Sequence, residues 1–432
     1  MTKSTKPSAY KFRRVDRPKT AEQAITDIER RMGGRMTEAS LSAEQRVVFD
    51  HVSHWYERNT VSHPVLTLGG YAGTGKSTLV SVLAGKYADE RIAFTAYTGK
   101  ATSVLRTKLR DAHVPGALDI KTLHALMYHP LSMANGDIAG WRRRAHLDHD
   151  LIIVDEASML DEQLFTDLRS YGIPILAVGD HGQLPPVIGS FNLMEKPELR
   201  LETIHRQAAG SPILALADVV RRTGQVPRLE NSLELQVLPH DQLPNVLDSL
   251  FTTEGIRHSD IGLLCYTNRE RVELNARARR ARWGDLFDDI PLEGDQVICL
   301  RNVEGAIFNG MRGELTRAEN TSVLHYDGKV LFAEDEVEVT GPICKAQFGQ
   351  DKTFRNFDDF QRATGHRPWN WDSVGLLMDF GYALTIHKSQ GSSMEHVIVA
   401  AYDLPNRIDF DTKKRALYTA ITRCSKYLVV LQ

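Results

Sequence analysis

Residues 64–83 read PVLTLGGYAGTGKSTLVSVL. Val65 to Leu68 form an apolar run of strand length, a glycine-rich turn follows, and a helical pattern begins near Lys76. Gly70, Gly75, Lys76 and Ser77 match the phosphate-binding pattern G-x-x-x-x-G-K-[ST]. Glycines at those positions let the backbone wrap so that successive N–H groups face an anion, and the positive end of the next helix faces it too. A lysine there reaches the outer phosphates, and a serine hydroxyl suits Mg²⁺. The expected ligand is a nucleoside triphosphate such as ATP, with Mg²⁺.

The composition sets bounds. The 432 residues leave room for two or three domains with a large core. Hydrophobic residues make up 42% and charged ones 25%, as in ordinary soluble globular proteins. The formal net charge of −2 requires any nucleic-acid partner to use a local basic channel. Cys265, Cys299, Cys344 and Cys424 form no C-x-x-C pair, which argues against zinc or a disulfide framework and fits a reducing compartment. No apolar run approaches the length of a membrane span, and the basic N-terminus lacks the apolar core of a secretory signal.

Residues 1–20 are rich in Lys and Arg and read as a disordered tail. Ala21, Ile25, Ile28 and Met32 have helical spacing. Ser42 and Gln45 form a capping-box pattern; Gln45 also precedes the glycine loop at a distance from which an amide could read an adenine edge. On the residues alone the cap is the stronger reading. Strands at 92–95, 151–154 and 174–179 alternate with helices and end in polar residues, which describes a parallel α/β domain with its site at the strand C-terminal edge. The expected domains are 21–205, then 206–290 with 376–432, the second split by a β-rich insertion at 291–375. Asn309-Gly310 and Asp327-Gly328 are the hairpin-turn signals in that insertion. The helix at 269–283 is conspicuously basic.

Asp155 and Glu156 follow the strand LIIV, placing a metal ligand and a water-activating base on one rigid element. Gln183, in GDHGQLPP, is placed to sense the γ-phosphate. Arg206 in IHRQ and Arg423 in YTAITR are candidates to neutralise charge on the transferred phosphoryl group from across a cleft. Each of these residues also has a plain reading as a solvated loop or surface group.

Taken together, GGYAGTGKST, TAYTGKA, LIIVDEASM, GDHGQLPPV, LETIHRQ, LTIHKSQGSSMEHVIV and LYTAITR resemble, in this order, the motif set of superfamily I helicases of the RecD-like and Dda-like class. The resemblance spans roughly residues 38–432. It implies two RecA-like domains with ATP between them, single-stranded DNA across their top, 5′→3′ movement, and a soluble cytoplasmic protein of bacterial or phage-like kind. It implies that Gln45, Gly70, Ala72, Gly73, Thr74, Gly75, Lys76, Ser77, Thr78, Gln390 and Gly391 serve the nucleotide site. Ser77 and Asp155 would hold Mg²⁺, and Arg206 and Arg423 would act as arginine fingers. Thr98, Gly99, Lys100, Thr122, His124, Asn268, Arg269, Thr385, His387 and Ser392 would lie on or near the DNA track. Tyr97 stands where relatives usually have proline. The insertion is expected to be SH3-like, and its Trp369 and Trp371 either stack on a base or pack the small domain.

Residues 127–150 exceed a short helix-to-strand connection and carry the turn signal Asn135-Gly136. Dda-like helicases hold a strand-separating hairpin here, which implies Met133 and Ile138 at its tip and Trp141 nearer its base. The expected partners are single-stranded DNA, a DNA fork, and replication or recombination proteins, with no membrane. Two rivals differ in class: a translocase subunit of a nuclease complex that does not unwind alone, and a nucleotide-binding regulator or P-loop kinase that does not move.

Overall fold

The computed structural model describes residues 10–14, 36–114, 118–132, 138–186, 191–204, 210–303, 307–333 and 337–432. The first described element is β1 (Lys11–Arg14), and the described residues from 36 onward build the first α/β unit. It comprises α1 (Ala43–Arg58), β2 (Val65–Gly70), α2 (Lys76–Lys86), β3 (Ile92–Ala96), α3 (Gly99–Asp111), β4 (Asp119–Thr122), α4 (Leu123–Met127), β5 (Tyr128–Ser132), β6 (Ile138–Arg143), β7 (Leu151–Asp155), α5 (Glu162–Arg169), β8 (Ile175–Gly179) and β9 (Leu199–Leu201). The sheet order is β4-β3-β7-β8-β2-β9, with parallel pairing throughout. The strand Leu-Ile-Ile-Val is buried on both faces because it is central: Ile153 packs with Phe49, Leu79 and Phe94, while Ile152 and Val154 pack with Leu126 and Leu164.

The second unit adds α6 (Pro212–Thr223), β10 (Leu235–Leu238), α7 (Leu243–Thr252), β11 (Ile261–Cys265) and α8 (Asn268–Trp283). The insertion then supplies β12 (Gln296–Cys299), β13 (Arg312–Asn320), β14 (His325–Phe332), β15 (Val337–Cys344), α9 (Phe357–Thr364), α10 (Trp371–Val374) and β16 (Met378–Phe380). The α/β pattern resumes with β17 (Ala383–Thr385), α11 (Ile386–Ser389), β18 (Met394–Ala400), α12 (Phe410–Ile421) and β19 (Cys424–Leu431). These strands form a second parallel sheet, β10-β19-β18-β11-β17. Two parallel sheets flanked by helices make the architecture two-domain and RecA-like.

The insertion is an antiparallel sheet, β1-β15-β14-β13-β12-β16. Three details depart from the sequence reading. Lys11–Arg14 is a strand paired with Val337–Thr340, not disordered tail, and Tyr10 beside it is buried with Val297 and Phe332. Met378–Phe380, expected in the second α/β domain, pairs with β12 in the insertion sheet. Asp327-Gly328 is no turn but lies within β14, where a Cβ on Gly328 would stand 2.2 Å from Ile343 Cδ1. The glycine there serves close packing against the neighbouring strand. Asn309-Gly310 does form a turn, with Gly310 at φ +92°. The expected helix over residues 21–32 lies outside the described residues.

Candidate active site

The glycine loop leaves β2 and enters α2 through Gly73 and Gly75, both at positive φ (+79° and +78°), a conformation that glycine adopts without a Cβ penalty. Lys76 Nζ donates to the carbonyls of Gly70 (2.7 Å) and Tyr71 (3.0 Å), so its ammonium lies folded over the mouth of the loop. Gln45 does two jobs at once. Its Oε1 accepts from Ser42 N (2.9 Å), completing the cap of α1, and its Nε2 donates to the loop carbonyls of Thr74 (3.3 Å) and Gly75 (3.2 Å). Ala72 and Thr78 flank the loop, half-buried. Ser77 Oγ accepts from Lys108 Nζ on α3 (3.0 Å), a residue not singled out in the sequence.

Asp155 closes β7, and its Oδ1 accepts the N–H of Glu156 (2.9 Å). Glu156 adopts φ +52°, a left-handed conformation uncommon for a side chain of this size and concentrated at functional sites. Burial holds its carboxyl above the usual carboxylate range; Asp155 adds to the rise, while Arg423, Lys76 and Lys108 oppose it. Two cations from the first unit and one from the second thus surround one acid.

The segment after β8 meets the second unit. Arg415 Nη1 donates to the carbonyls of His181 (2.8 Å) and Gln183 (3.1 Å). Thr419 Oγ1 accepts from Leu184 N (3.0 Å), and Gln390 Nε2 donates to Leu184 O (2.9 Å). Tyr418 Oη accepts from Ala72 N in the glycine loop (2.8 Å) and donates to Asp180 Oδ2 (2.9 Å). Arg221 on α6 lays its guanidinium 3.9 Å from the Tyr71 ring centroid. Arg423 is buried, donating to Thr419 O (3.2 Å) and Ser392 O (3.3 Å). Gln45, Lys76, Asp155, Glu156, Gln183, Gln390 and Arg423 therefore gather where the glycine loop and the segment after β8 meet the second unit. Arg206 lies outside the described residues.

A row of threonine caps lies along the strand C-terminal edges. Thr98, Thr122, Thr267 and Thr385 each accept a backbone N–H in the first turn of the helix that follows. Each unit thus presents capped helix N-termini at the C-terminal edge of its parallel sheet, an arrangement that favours phosphate groups. Gly391 (φ +72°) lies against Ala101 and Thr98, bringing two expected track segments together from the two units. Lys100 is buried behind them, and Phe308 of the insertion covers Gly99, where a Cβ would stand 2.6 Å from its ring. His124 and His387 are both held below the usual histidine range, chiefly by burial. Ser392 is buried, whereas Asn268 and Arg269 are exposed at the start of α8. Farther along α8, Arg271 and Arg279 turn inward to Asp379 and Asp295, so that helix is not a uniformly basic face.

Strands β5 and β6 form the expected antiparallel pair, with Ile138 opposite Ser132 and Trp141 opposite Pro130 in the backbone register. The tip, including Met133, lies outside the described residues. The two tryptophans of the insertion differ. Trp371 is packed, with the Arg301 guanidinium 3.8 Å from its ring centroid and Phe357 beside it, whereas Trp369 is 93% exposed.

Sequence reasoning missed Lys108, Asp180, Arg415 and Tyr418. Tyr418 and Asp180 stand inside motifs already singled out, LYTAITR and GDHGQLPP, so an adjacent polar residue was the available signal. Nothing in the sequence around Lys108 points to Ser77.

Residues 57–189 match the family model described as an AAA domain, and residues 380–431 match the UvrD-like helicase C-terminal domain. The ATP-dependent RecD2 DNA helicase of Deinococcus radiodurans is 26% identical over 409 residues, covering 89% of this chain and 48% of that protein. The ATP-dependent DNA helicase PIF1 of Trypanosoma brucei brucei is 32% identical over 214 residues, covering 44% and 21%. The RecBCD enzyme subunit RecD of Mycobacterium tuberculosis is 24% identical over 435 residues, covering 86% and 67%. The chain spans about half or less of the first two relatives. A Pif1 helicase structure described for unwinding at forked duplex DNA superposes with a TM-score of 0.50 at 17% identity, covering 90% of this chain and 91% of that one, which supports the fold. An AAA domain match, a UvrD-like C-terminal domain match and these relatives together make the chain similar to the RecD/Pif1-like helicases of superfamily I.

Proposed function

We propose that this protein is an ATP-dependent DNA helicase, moving 5′→3′ on single-stranded DNA and separating strands at a fork. One observation carries the reading: the glycine loop and the segment 180–184 on the first unit are held by Gln390, Arg415, Tyr418 and Thr419 on the second. A nucleotide on the loop would therefore sit where the two units meet. Its binding and loss would change how they meet, and each unit carries threonine-capped helix ends suited to a DNA backbone.

Lys76 and the loop N–H groups would hold the phosphates, with Gln45 beside the base. Glu156 would take a proton from the attacking water, Gln183 would orient that water, and Arg423 and Arg206 would neutralise developing charge. The oxygen donors Ser77 and Asp155 suit Mg²⁺, and the Lys108 ammonium already resting on Ser77 Oγ marks a place that accepts positive charge. Bound there, Mg²⁺ would offset phosphate charge. The β5–β6 hairpin would divide the strands, and Trp369 would offer a stacking face in the SH3-like insertion. Such a protein works inside the cell among replication or recombination proteins. No described helix is long and apolar enough to cross a membrane. The match to a RecBCD subunit favours a second reading, a translocase that moves DNA within a larger complex.

The test is ATP hydrolysis with and without single-stranded DNA, followed by unwinding of 5′- and 3′-tailed duplexes, with Lys76→Ala as the inactive control. DNA-stimulated hydrolysis with unwinding of the 5′-tailed duplex alone is expected. Hydrolysis indifferent to DNA would favour the regulator or kinase reading. Preference for the 3′ tail would reject the polarity.

A further inference from the structure

Gln183 is almost wholly buried, and its side-chain oxygen has no hydrogen-bond partner among the described residues. A buried amide oxygen left unpaired is costly unless a ligand or water completes it. Its orientation is set from the other end. Gln183 Nε2 faces Asp180 Oδ2 at 3.4 Å, and a carboxylate tolerates only the donor end of an amide. Oε1 must therefore point away from Asp180.

Asp180 is fixed in turn. Its Oδ1 accepts from Gly182 N (2.9 Å), and its Oδ2 accepts from Tyr418 Oη (2.9 Å). The same hydroxyl accepts from Ala72 N in the glycine loop. Tyr418 is buried, with Gly182 and Tyr71 against its ring, so the hydroxyl has little freedom. A single oxygen from the second unit thereby ties the phosphate loop to the carboxylate that aims Gln183.

We propose that Tyr418 and Asp180 are positioning residues that aim Gln183 Oε1 at the attacking water, so that hydrolysis is fast only while the second unit holds Tyr418 in place. The inference rests on the ATPase reading above. In the step, the water oxygen forms a bond to the γ-phosphorus as the bond from that phosphorus to the β–γ bridging oxygen breaks. The electron pair stays on ADP, and one water proton passes to Glu156 and on to solvent. Gln183 only accepts a hydrogen bond from the water, and neither Tyr418 nor Asp180 changes protonation. Opening the cleft would withdraw the hydroxyl from Ala72 and Asp180 together, releasing Gln183 before a water is activated.

The test compares Tyr418→Phe, Gln183→Ala and the double variant in ATP hydrolysis with saturating single-stranded DNA, alongside the affinity for a fluorescent ADP analogue. Tyr418→Phe should lower kcat about tenfold or more, with the KM for ATP and the ADP affinity held within about twofold. The double variant should be no slower than Gln183→Ala, because both changes disable the same group. A merely structural role would instead weaken ADP binding and hydrolysis together. Parental turnover in Tyr418→Phe, or effects that multiply in the double variant, would overturn the inference. If Tyr418→Phe does not fold, Asp180→Asn carries the same comparison. A parent chain that hydrolyses no ATP would overturn the ATPase reading itself, a result distinct from a Tyr418→Phe chain as fast as its parent.

Discussion

Lys108 donates its ammonium to the Ser77 hydroxyl across 3.0 Å, from a helix that begins one strand further along the chain. A fixed cation there competes with a divalent ion for the same oxygen. Lys108→Met should lower the Mg²⁺ concentration needed for half-maximal ATP hydrolysis, by a factor of about three to ten if the exchange is worth roughly 0.7–1.4 kcal/mol. A Mg²⁺ titration checks this. A higher Mg²⁺ requirement would show that Lys108 assists the ion.

Glu156→Gln should separate stability from turnover. Because burial raises the folded-state pKa of Glu156, the folded chain holds that proton more tightly than the unfolded chain does. Stability associated with Glu156 is thus fully present below the ordinary glutamate pKa and is lost as pH rises through the raised folded value. Glutamine carries no such charge. The variant should melt above the parent at about pH 7–8 and level with it near about pH 4, while turnover falls roughly 10²-fold or more. Melting curves at the two pH values, paired with ATPase rates, decide it. A lower melting temperature near neutrality would show that the ionised group stabilises the fold.

Asp295 anchors the insertion to the second unit. Fully buried, it accepts from Arg279 Nε (3.0 Å), Trp283 Nε1 (2.9 Å), Tyr382 Oη (2.8 Å) and Leu292 N (2.8 Å). Asp295→Ala would strand a buried guanidinium and should cost about 3–5 kcal/mol. Urea unfolding measures that loss. A cost below about 1 kcal/mol would mean that water or a neighbour replaces the carboxylate.

Replacing residues 133–138 with a short glycine-rich turn removes the tip of the β5–β6 hairpin without touching the parallel sheet. DNA-stimulated ATP hydrolysis should stay within about twofold of the parent, while duplex unwinding per ATP falls about tenfold or more. Strand displacement read beside phosphate release gives that ratio. An unchanged ratio would move the wedge elsewhere, with the exposed Trp369 next in line.

Both α/β units were legible because their signals are local. The loop from Gly70 to Ser77 and the acids after LIIV each declare strand, turn and chemistry within a few residues. What escaped the sequence depends on groups that only folding brings together. Ala72 and Tyr418 share a hydrogen bond across 346 residues of chain, and no periodicity encodes that approach. The arginines of α8 illustrate the same limit: read alone they suggest a solvated or DNA-facing stripe, but Asp295 and Asp379 arrive from the insertion to bury two of them. Lys11–Arg14 lacked an apolar alternation, since an edge strand needs only its backbone and one buried neighbour, Tyr10, to pair.

That edge strand also constrains how the protein is made. Lys11–Arg14 leaves the ribosome long before its partner Val337–Thr340, and both α/β units begin to emerge in between. The insertion sheet therefore closes late, over a contact of very high sequence separation, which slows its completion relative to the locally wired halves. Proteolytic removal of the chain up to Arg14 would leave the outer edge of β15 bare, a template for pairing with a second molecule. A degradation product trimmed at that point should thus aggregate through the insertion, even with both parallel sheets intact.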